Sequence, residues 1–341
     1  MKKTSLPKRI CLILILLMFS LTLMLNLTSC VSGGALRAEE YFTIGMAFFE
    51  LGRFSDAEFW LNRARSADRT MVASEYNLGR IAFETGRFED AARYFERVLS
   101  FDPYNVMALR AAAFSRIRNA DFELADALYS RVLALIPESA DDGFNHALVL
   151  FGMGRYAESE EVLNRFPFAL EERASSILLL ARAQKAQGKV EAIDSYARWL
   201  LVKTGPPNPM GIFEFGQVLE NAGFYARALE QYEDALEALE RDVVNLRRST
   251  IRFARARLLL TADPYNEEGI TELNAAVREG FTDREAVEAL IADTRVIPAH
   301  REEITRILAG IAVEDDEDED DEEDEDEDDE DDDDEDPWSF P

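Results

Sequence analysis

Two stretches of the chain, ELGRFSDAEFWL (Glu50 to Leu61) and ETGRFEDAARYF (Glu84 to Phe95), lie 34 residues apart and read almost alike. A period of this size marks a chain built from stacked copies of one small unit, none of which can bury its apolar face alone. Stepping by 34 from Gly52 reaches Gly86, Ala120, Gly154 and Gly188. Two residues after each of these stand Phe54, Phe88, Phe122, Tyr156 and Val190. Five after come Ala57, Ala91, Ala125, Ser159 and Ile193, and seven before come Gly45, Gly79, Ala113, Ala147 and Ala181. After one inserted residue the pattern returns at Gly216, Gly223, Tyr225 and Ala228.

These residue types suit two antiparallel helices in close contact. Glycine at Gly52, Gly86, Gly154 and Gly223 ends the first helix in the left-handed conformation that other residues resist. The aromatic two residues on fills the turn. Gly45, Gly79 and Gly216 let the second helix approach, with Ala57, Ala91, Ala125 and Ala228 as small counterparts. Pro103 and Pro137 close second helices, because proline cannot continue one. No run shows the alternation and hairpin turns of strands.

The stretch YNLGRIAFETGRFEDAARYFERVLSFDP (Tyr76 to Pro103) resembles the tetratricopeptide repeat, a 34-residue helix–turn–helix. The resemblance implies an all-α, right-handed superhelix, an α-solenoid of about six repeats. The expected units are 38–71, 72–105, 106–139, 140–173, 174–208 and 209–242. The third lacks both glycines, and the fifth carries Val190 and Ile193 where an aromatic and an alanine belong. Residues 243–313 keep helical periodicity without the register and read as a degenerate repeat with a helical cap, since the terminal unit of a solenoid must tolerate water on one face.

The chain opens with Lys2, Lys3, Lys8 and Arg9, followed by an almost wholly apolar run from Ile10 to Leu27. This is a targeting segment. About 18 apolar residues also suffice for an uncleaved membrane helix. The residues that decide are Leu27-Thr28-Ser29-Cys30, which resemble the lipobox of bacterial lipoproteins. By that resemblance 1–29 is a signal peptide, Cys30 becomes the acylated first residue of the mature protein, and 30–37 is a short linker. The other reading is a plain anchor helix with an incidental cysteine. Cys11 lies within the targeting segment, so a mature chain would hold one cysteine and no internal disulfide.

At the other end, Glu314 to Asp336 is a block of 23 acidic residues. It accounts for most of the net charge of −30 and has nothing apolar to bury. Residues 314–341 therefore read as a disordered tail. It serves as a solubilising brush, as a dock for basic partners, or as a loose collector of divalent cations; it lacks the spacing of a dedicated calcium loop. Trp338 and Phe340 in the closing PWSFP are either a docking tag or a loose end.

Catalytic machinery is not evident. The two histidines, His146 and His300, have no second histidine or cysteine nearby in sequence, and no metal, phosphate or dinucleotide motif occurs. No catalytic residue, metal site or cofactor is expected, and the acidic balance argues against nucleic acid. What remains is the solenoid surface. In tetratricopeptide proteins the first helices line a groove that holds a peptide or helix. Carried over by position, that groove has Tyr76, Arg80, Arg110, Phe114, Phe144 and Arg182, with Arg118 and Lys185 a turn further on, flanked by Phe42, Met46, Leu148, Leu178, Phe213 and Gln217. Aromatics and arginines suit partner recognition, although the aromatics could equally pack between repeats. Phe42 and Met46 stand where some relatives clamp a C-terminal carboxylate with lysine and asparagine, so that activity is not implied. The expectation is a non-enzymatic scaffold that binds other proteins, lipid-anchored in a bacterial cell envelope and facing the periplasm or exterior. An accessory subunit of a solute-uptake system, docking a substrate-binding protein, is the alternative.

Overall fold

A computed structural model describes residues 37–167, 173–202, 208–239, 246–263 and 265–311. The targeting segment, Cys30 and the acidic tail lie outside the described residues. Two units divide the chain, Met1–Ala238 and Leu239–Pro341. The first consists of helix pairs: α1 (37–50) with α2 (Phe54–Ala67), α3 (Val72–Glu84) with α4 (Phe88–Phe101), and α5 (Val106–Arg118) with α6 (Phe122–Leu135). Then come α7 (Ala140–Gly152) with α8 (Tyr156–Asn164), α9 (Ala174–Ala186) with α10 (Ala192–Leu201), and α11 (Pro209–Asn221) with α12 (Tyr225–Ala238). From α2 to α12 each helix packs on the next, so the chain is an all-α solenoid.

The turn inside each pair is the same device repeated. The amide after the turn residue reaches back to a carbonyl five residues earlier: Arg53 to Phe48 (3.0 Å), Arg87 to Ala82 (2.8 Å), Asp121 to Arg116 (2.8 Å), Arg155 to Leu150 (2.9 Å), Lys189 to Gln184 (3.0 Å) and Phe224 to Leu219 (2.8 Å). This closes the first helix and satisfies carbonyls that would otherwise lack donors. The geometry needs a positive φ, found at Gly52, Gly86, Gly154, Gly188 and Gly223, all between 68° and 81°. Ala120 adopts it too, at 59°, as the one non-glycine with positive φ among the described residues. At the opposite ends, Asn105, Ser139 and Asn208 cap α5, α7 and α11 by accepting from Ala108, Asp142 and Gly211 amides.

Within a pair, each glycine makes room for a large side chain. A Cβ on Gly79 would stand 2.7 Å from Phe95, one on Gly45 2.8 Å from Leu61, and one on Gly216 2.6 Å from Tyr232. The small residues of the second helices lie against first-helix backbone. Ala57, Ala91, Ala125 and Ala228 are fully buried, and Ser159, which replaces the alanine in the fourth pair, donates to the Ala147 carbonyl at 2.7 Å. The turn aromatics meet the last turn of the first helix at steep ring angles: Phe54 against Phe49 (5.7 Å between centroids), Phe88 edge-on to Phe83 (5.2 Å) and Tyr156 edge-on to Phe151 (5.1 Å).

The fifth pair departs from the register. Ile193 falls at the position of Ala57, yet Ala192, Ser195, Tyr196 and Trp199 are the buried residues and Ile193 is only half-buried. The cause lies in the turn. Lys185 stands where the first, second and fourth pairs have Phe49, Phe83 and Phe151, and Val190, where every other pair has an aromatic, is too short to reach across and stays 68% exposed. The second helix starts two residues late and turns a different side inward. Its Trp199 then fills the space above Gly211 in the sixth pair, where a Cβ would come within 2.6 Å.

In the second unit α13 (Arg248–Ala262) packs on α14 (Glu268–Arg278), and α16 (Pro298–Ala309) packs on α14 and α15 (Arg284–Ala292). Their core holds Phe253, Leu260, Leu273, Phe281, Val287, Leu290, Ile304 and Ile307. Gly280, φ 91°, ends α14 with the same back-reaching bond, Phe281 to Ala276 at 3.0 Å. Glu272, nearly buried, is held by Arg252 (3.1 Å) and Arg255 (2.7 Å).

Two substitutions test this account. Ala120→Gly should raise stability by about 1 kcal/mol, because it relieves a left-handed alanine; thermal melting of the two proteins checks it. Gly79→Leu should lower stability by at least about 1–3 kcal/mol by forcing apart α3 and α4, and a variant as stable as the parent would contradict the register.

Candidate partner-binding face

The first helices of successive pairs place one row of side chains side by side. Arg80 of α3 lies over the Phe49 ring of α1, with 4.4 Å from guanidinium carbon to centroid. Phe114 of α5 meets Phe83 of α3 at 5.1 Å. Arg110 donates through Nε and Nη2 to both oxygens of Asp142 on α7, at 2.7 and 2.5 Å. Arg182 of α9 donates to Glu214 of α11 at 2.8 Å, and Lys185 to Gln217 at 2.7 Å. Arg118 lies over Phe88 of the preceding repeat at 4.9 Å. Six of the eight groove residues named from the sequence therefore bridge one repeat to the next. The other two behave differently: Tyr76 rests edge-on against Phe95 within its own pair (5.3 Å), and Phe144 joins a cluster with Leu148 and Phe151.

This engagement matters chemically. The rings and guanidinium groups are held by neighbours before any partner arrives, which reduces the ordering a partner must impose. A guanidinium stacked on a ring is fixed in its plane, and Arg80 is held further by donating Nη1 to Asn77 at 3.2 Å. The arginines are not equivalent, however. Asp142 is 2% exposed, and the hydrogen bonds that Arg110 donates to it hold the guanidinium above its ordinary range. Truncating Arg110 would strand a buried carboxylate, so Arg110 supports the fold as well as lining the face. Burial pushes the Lys185 ammonium below the usual lysine range.

A second polar row runs along the turns. Arg87 pairs with Glu58 (2.8 Å), Arg155 with Asp126, and Lys189 with Glu160 (2.6 Å). Each joins the turn of one repeat to the second helix of the repeat before. At the third turn the basic residue is replaced by Asp121, and Arg116 supplies the charge instead, reaching Asp121 (3.0 Å), Glu89 (2.7 Å) and Glu96 (2.7 Å). His146 joins this row: its Nε2 lies 2.6 Å from Asp126 Oδ1, and the residue is 7% exposed. These acids escaped the sequence reading, although Arg87, Arg155 and Lys189 fall at the same position of the 34-residue repeat. Among the described residues no group of three or more His, Cys, Asp or Glu could hold a metal, and no helix is long and apolar enough to cross a membrane.

Acid should loosen the turn row. Burial raises the carboxyls of Asp126 and Glu160, but hydrogen bonds from His146 and Arg155, and from Lys189, Gln184 and Gln187, outweigh it, so both titrate below their ordinary 3.8 and 4.5. Groups depressed on folding contribute stability above their ordinary values and lose it as pH falls through the depressed ones. Asp126→Asn with Glu160→Gln should therefore be less stable than the parent at pH 7, and the difference should shrink below about pH 4. Urea titrations at several pH values measure this; a difference independent of pH would contradict it.

The tetratricopeptide-repeat family model matches residues 42–106. Among solved structures, a tetratricopeptide repeat protein from Parabacteroides merdae is 19% identical, with a TM-score of 0.52, over 75% of this chain and 98% of that one. PilW, a widely conserved type IV pilus biogenesis factor, is 17% identical, with a TM-score of 0.50, over 65% of this chain and 99% of its own. No curated protein matches the chain. The helix pairs and the recurring turn make the chain a helical-repeat protein, similar in fold to solved tetratricopeptide-repeat structures, and its residues 42–106 match the tetratricopeptide-repeat family.

Proposed function

We propose that the chain is a lipid-anchored scaffold of a bacterial cell envelope, holding partner proteins on the face lined by its first helices. The helical-repeat fold supports a protein-binding scaffold. The observation that carries the partner face is the row of Tyr76, Arg80, Phe114, Arg118 and Phe144, aromatic and basic side chains set side by side along α3, α5 and α7. The partner is a protein segment with acidic and aromatic side chains. The anchor rests on Leu27-Thr28-Ser29-Cys30 at the end of the apolar run. The acidic tail, Glu314 to Asp336, steers a basic partner surface toward the scaffold, an effect on association rate more than on the lifetime of the complex.

Affinity capture from detergent-solubilised membranes, with fatty-acid labelling of the same cells, tests both halves. Cys30→Ala should abolish the label. Arg80→Ala with Arg118→Ala should cost about 1 kcal/mol or more each in partner binding, while the loss of ring stacking costs the fold only about 0.5–1 kcal/mol each. Unchanged labelling contradicts the anchor, and unchanged capture contradicts the face.

A further inference from the structure

The outer face of a terminal repeat has no neighbour to cover it and is ordinarily polar. In the second repeat, α3 is covered by α2, and Asn77, Leu78 and Ile81 are at most 8% exposed. The residues 34 earlier, on α1, are Thr43, Ile44 and Ala47, and all three are exposed, Ile44 at 37%. They mark the face that a preceding repeat would cover, and among the described residues nothing covers it. Its chemistry differs from that of the internal interface. In the second repeat Glu75 occupies this surface and takes Arg65 and Arg97, each at 3.5 Å. At the matching positions of the first repeat the acid is Tyr41, Tyr94 becomes Trp60, and Arg93, exposed beside the interface, becomes Phe59. Tyr41 and Trp60 lie 5.6 Å apart, Phe59 and Trp60 5.4 Å. The Arg63 guanidinium sits over all three rings, 4.6 Å from Tyr41, 5.6 Å from Phe59 and 5.1 Å from Trp60. Phe59 is 56% exposed.

We propose that this end face is a lipid-docking surface, on which Tyr41, Ile44, Phe59 and Trp60 enter the headgroup layer of the membrane and Arg63 meets its phosphates. The proposal rests on the reading of Cys30 as the lipid anchor. Six residues, 31–36, separate Cys30 from helical residue 37, and such a span reaches at most about 25 Å, so the first repeat must stay beside the bilayer. Tryptophan and tyrosine favour that boundary because each ring has an apolar body and a polar edge. A guanidinium over the rings suits phosphate, whereas a second copy of the same face would oppose one cation with another.

The test uses full-length lipidated protein in phospholipid vesicles whose acyl chains carry bromine, a quencher of tryptophan fluorescence. The chain has three tryptophans, so Trp60→Phe identifies the contribution of this face. The expected result is quenching that disappears in Trp60→Phe and weakens in Phe59→Glu, whose exposed position makes the charge tolerable to the fold. Vesicle-bound protein labelled at Cys30 but equally quenched with and without Trp60 overturns the docking surface and leaves the anchor standing. Unlabelled protein whose Trp60 is still quenched overturns the anchor and supports the surface; loss of both overturns both. A Trp60-dependent dimer in sedimentation, without quenching, assigns the face to a second copy and overturns the lipid proposal.

Discussion

The close approach of two helices within each pair is the constraint from which the other contacts follow. Gly79 can face Phe95, and Gly216 can face Tyr232, only because neither carries a Cβ that would fall within 3 Å of the ring. The approach also fixes where the chain must reverse, and the back-reaching bond with its left-handed residue does this at Gly52, Gly86, Ala120, Gly154, Gly188 and Gly223. Once pair and turn are set, repetition every 34 residues brings each first helix beside the next. The inner row of rings and guanidinium groups and the outer row of turn ion pairs are then consequences of spacing.

The contacts between repeats are unusually charged for buried surfaces. Arg116 is 7% exposed and answers three carboxylates, and Asp142 is nearly buried against Arg110. Such groups add little net stability over a well-packed apolar pair, yet removing one partner leaves the other uncompensated. A shift of one repeat against its neighbour would separate every such pair in that interface at once. The polar rows therefore hold the stack in register, while the apolar contacts supply most of its cohesion.

How much of this was legible beforehand depended on whether a feature repeats. Glycine, aromatic and alanine recur every 34 residues, so the helix pairs and their turns could be read directly from Gly52, Phe54 and Ala57 onward. The pairing of Arg110 with Asp142 could not: like that of Arg182 with Glu214 it spans 32 residues rather than the 34 of the repeat, and it joins side chains that no motif couples. The fifth pair misled for a related reason. With Lys185 and Val190 in place of two aromatics the turn loses its ring contact, the second helix starts late, and Ala192 takes the place expected of Ile193. The residues carried over as a groove could be placed on the first helices by position, but their engagement with adjoining repeats emerges only when two repeats are laid together.

On the proposed reading, that engagement suits the row along the first helices to binding: a surface already organised by its own neighbours, with rings that add contact area and guanidinium groups that attract acidic partners. Site-specific photocrosslinking in living cells tests this most directly. A photoreactive phenylalanine analogue placed at Tyr76 or Phe144 on the inner row, and at Leu124 or Arg93 on exposed positions of the second helices, reports which side a partner occupies. The account predicts a discrete crosslinked species from the inner positions and none from the outer ones. The same species from Leu124 or Arg93, with none from Tyr76 or Phe144, would contradict it.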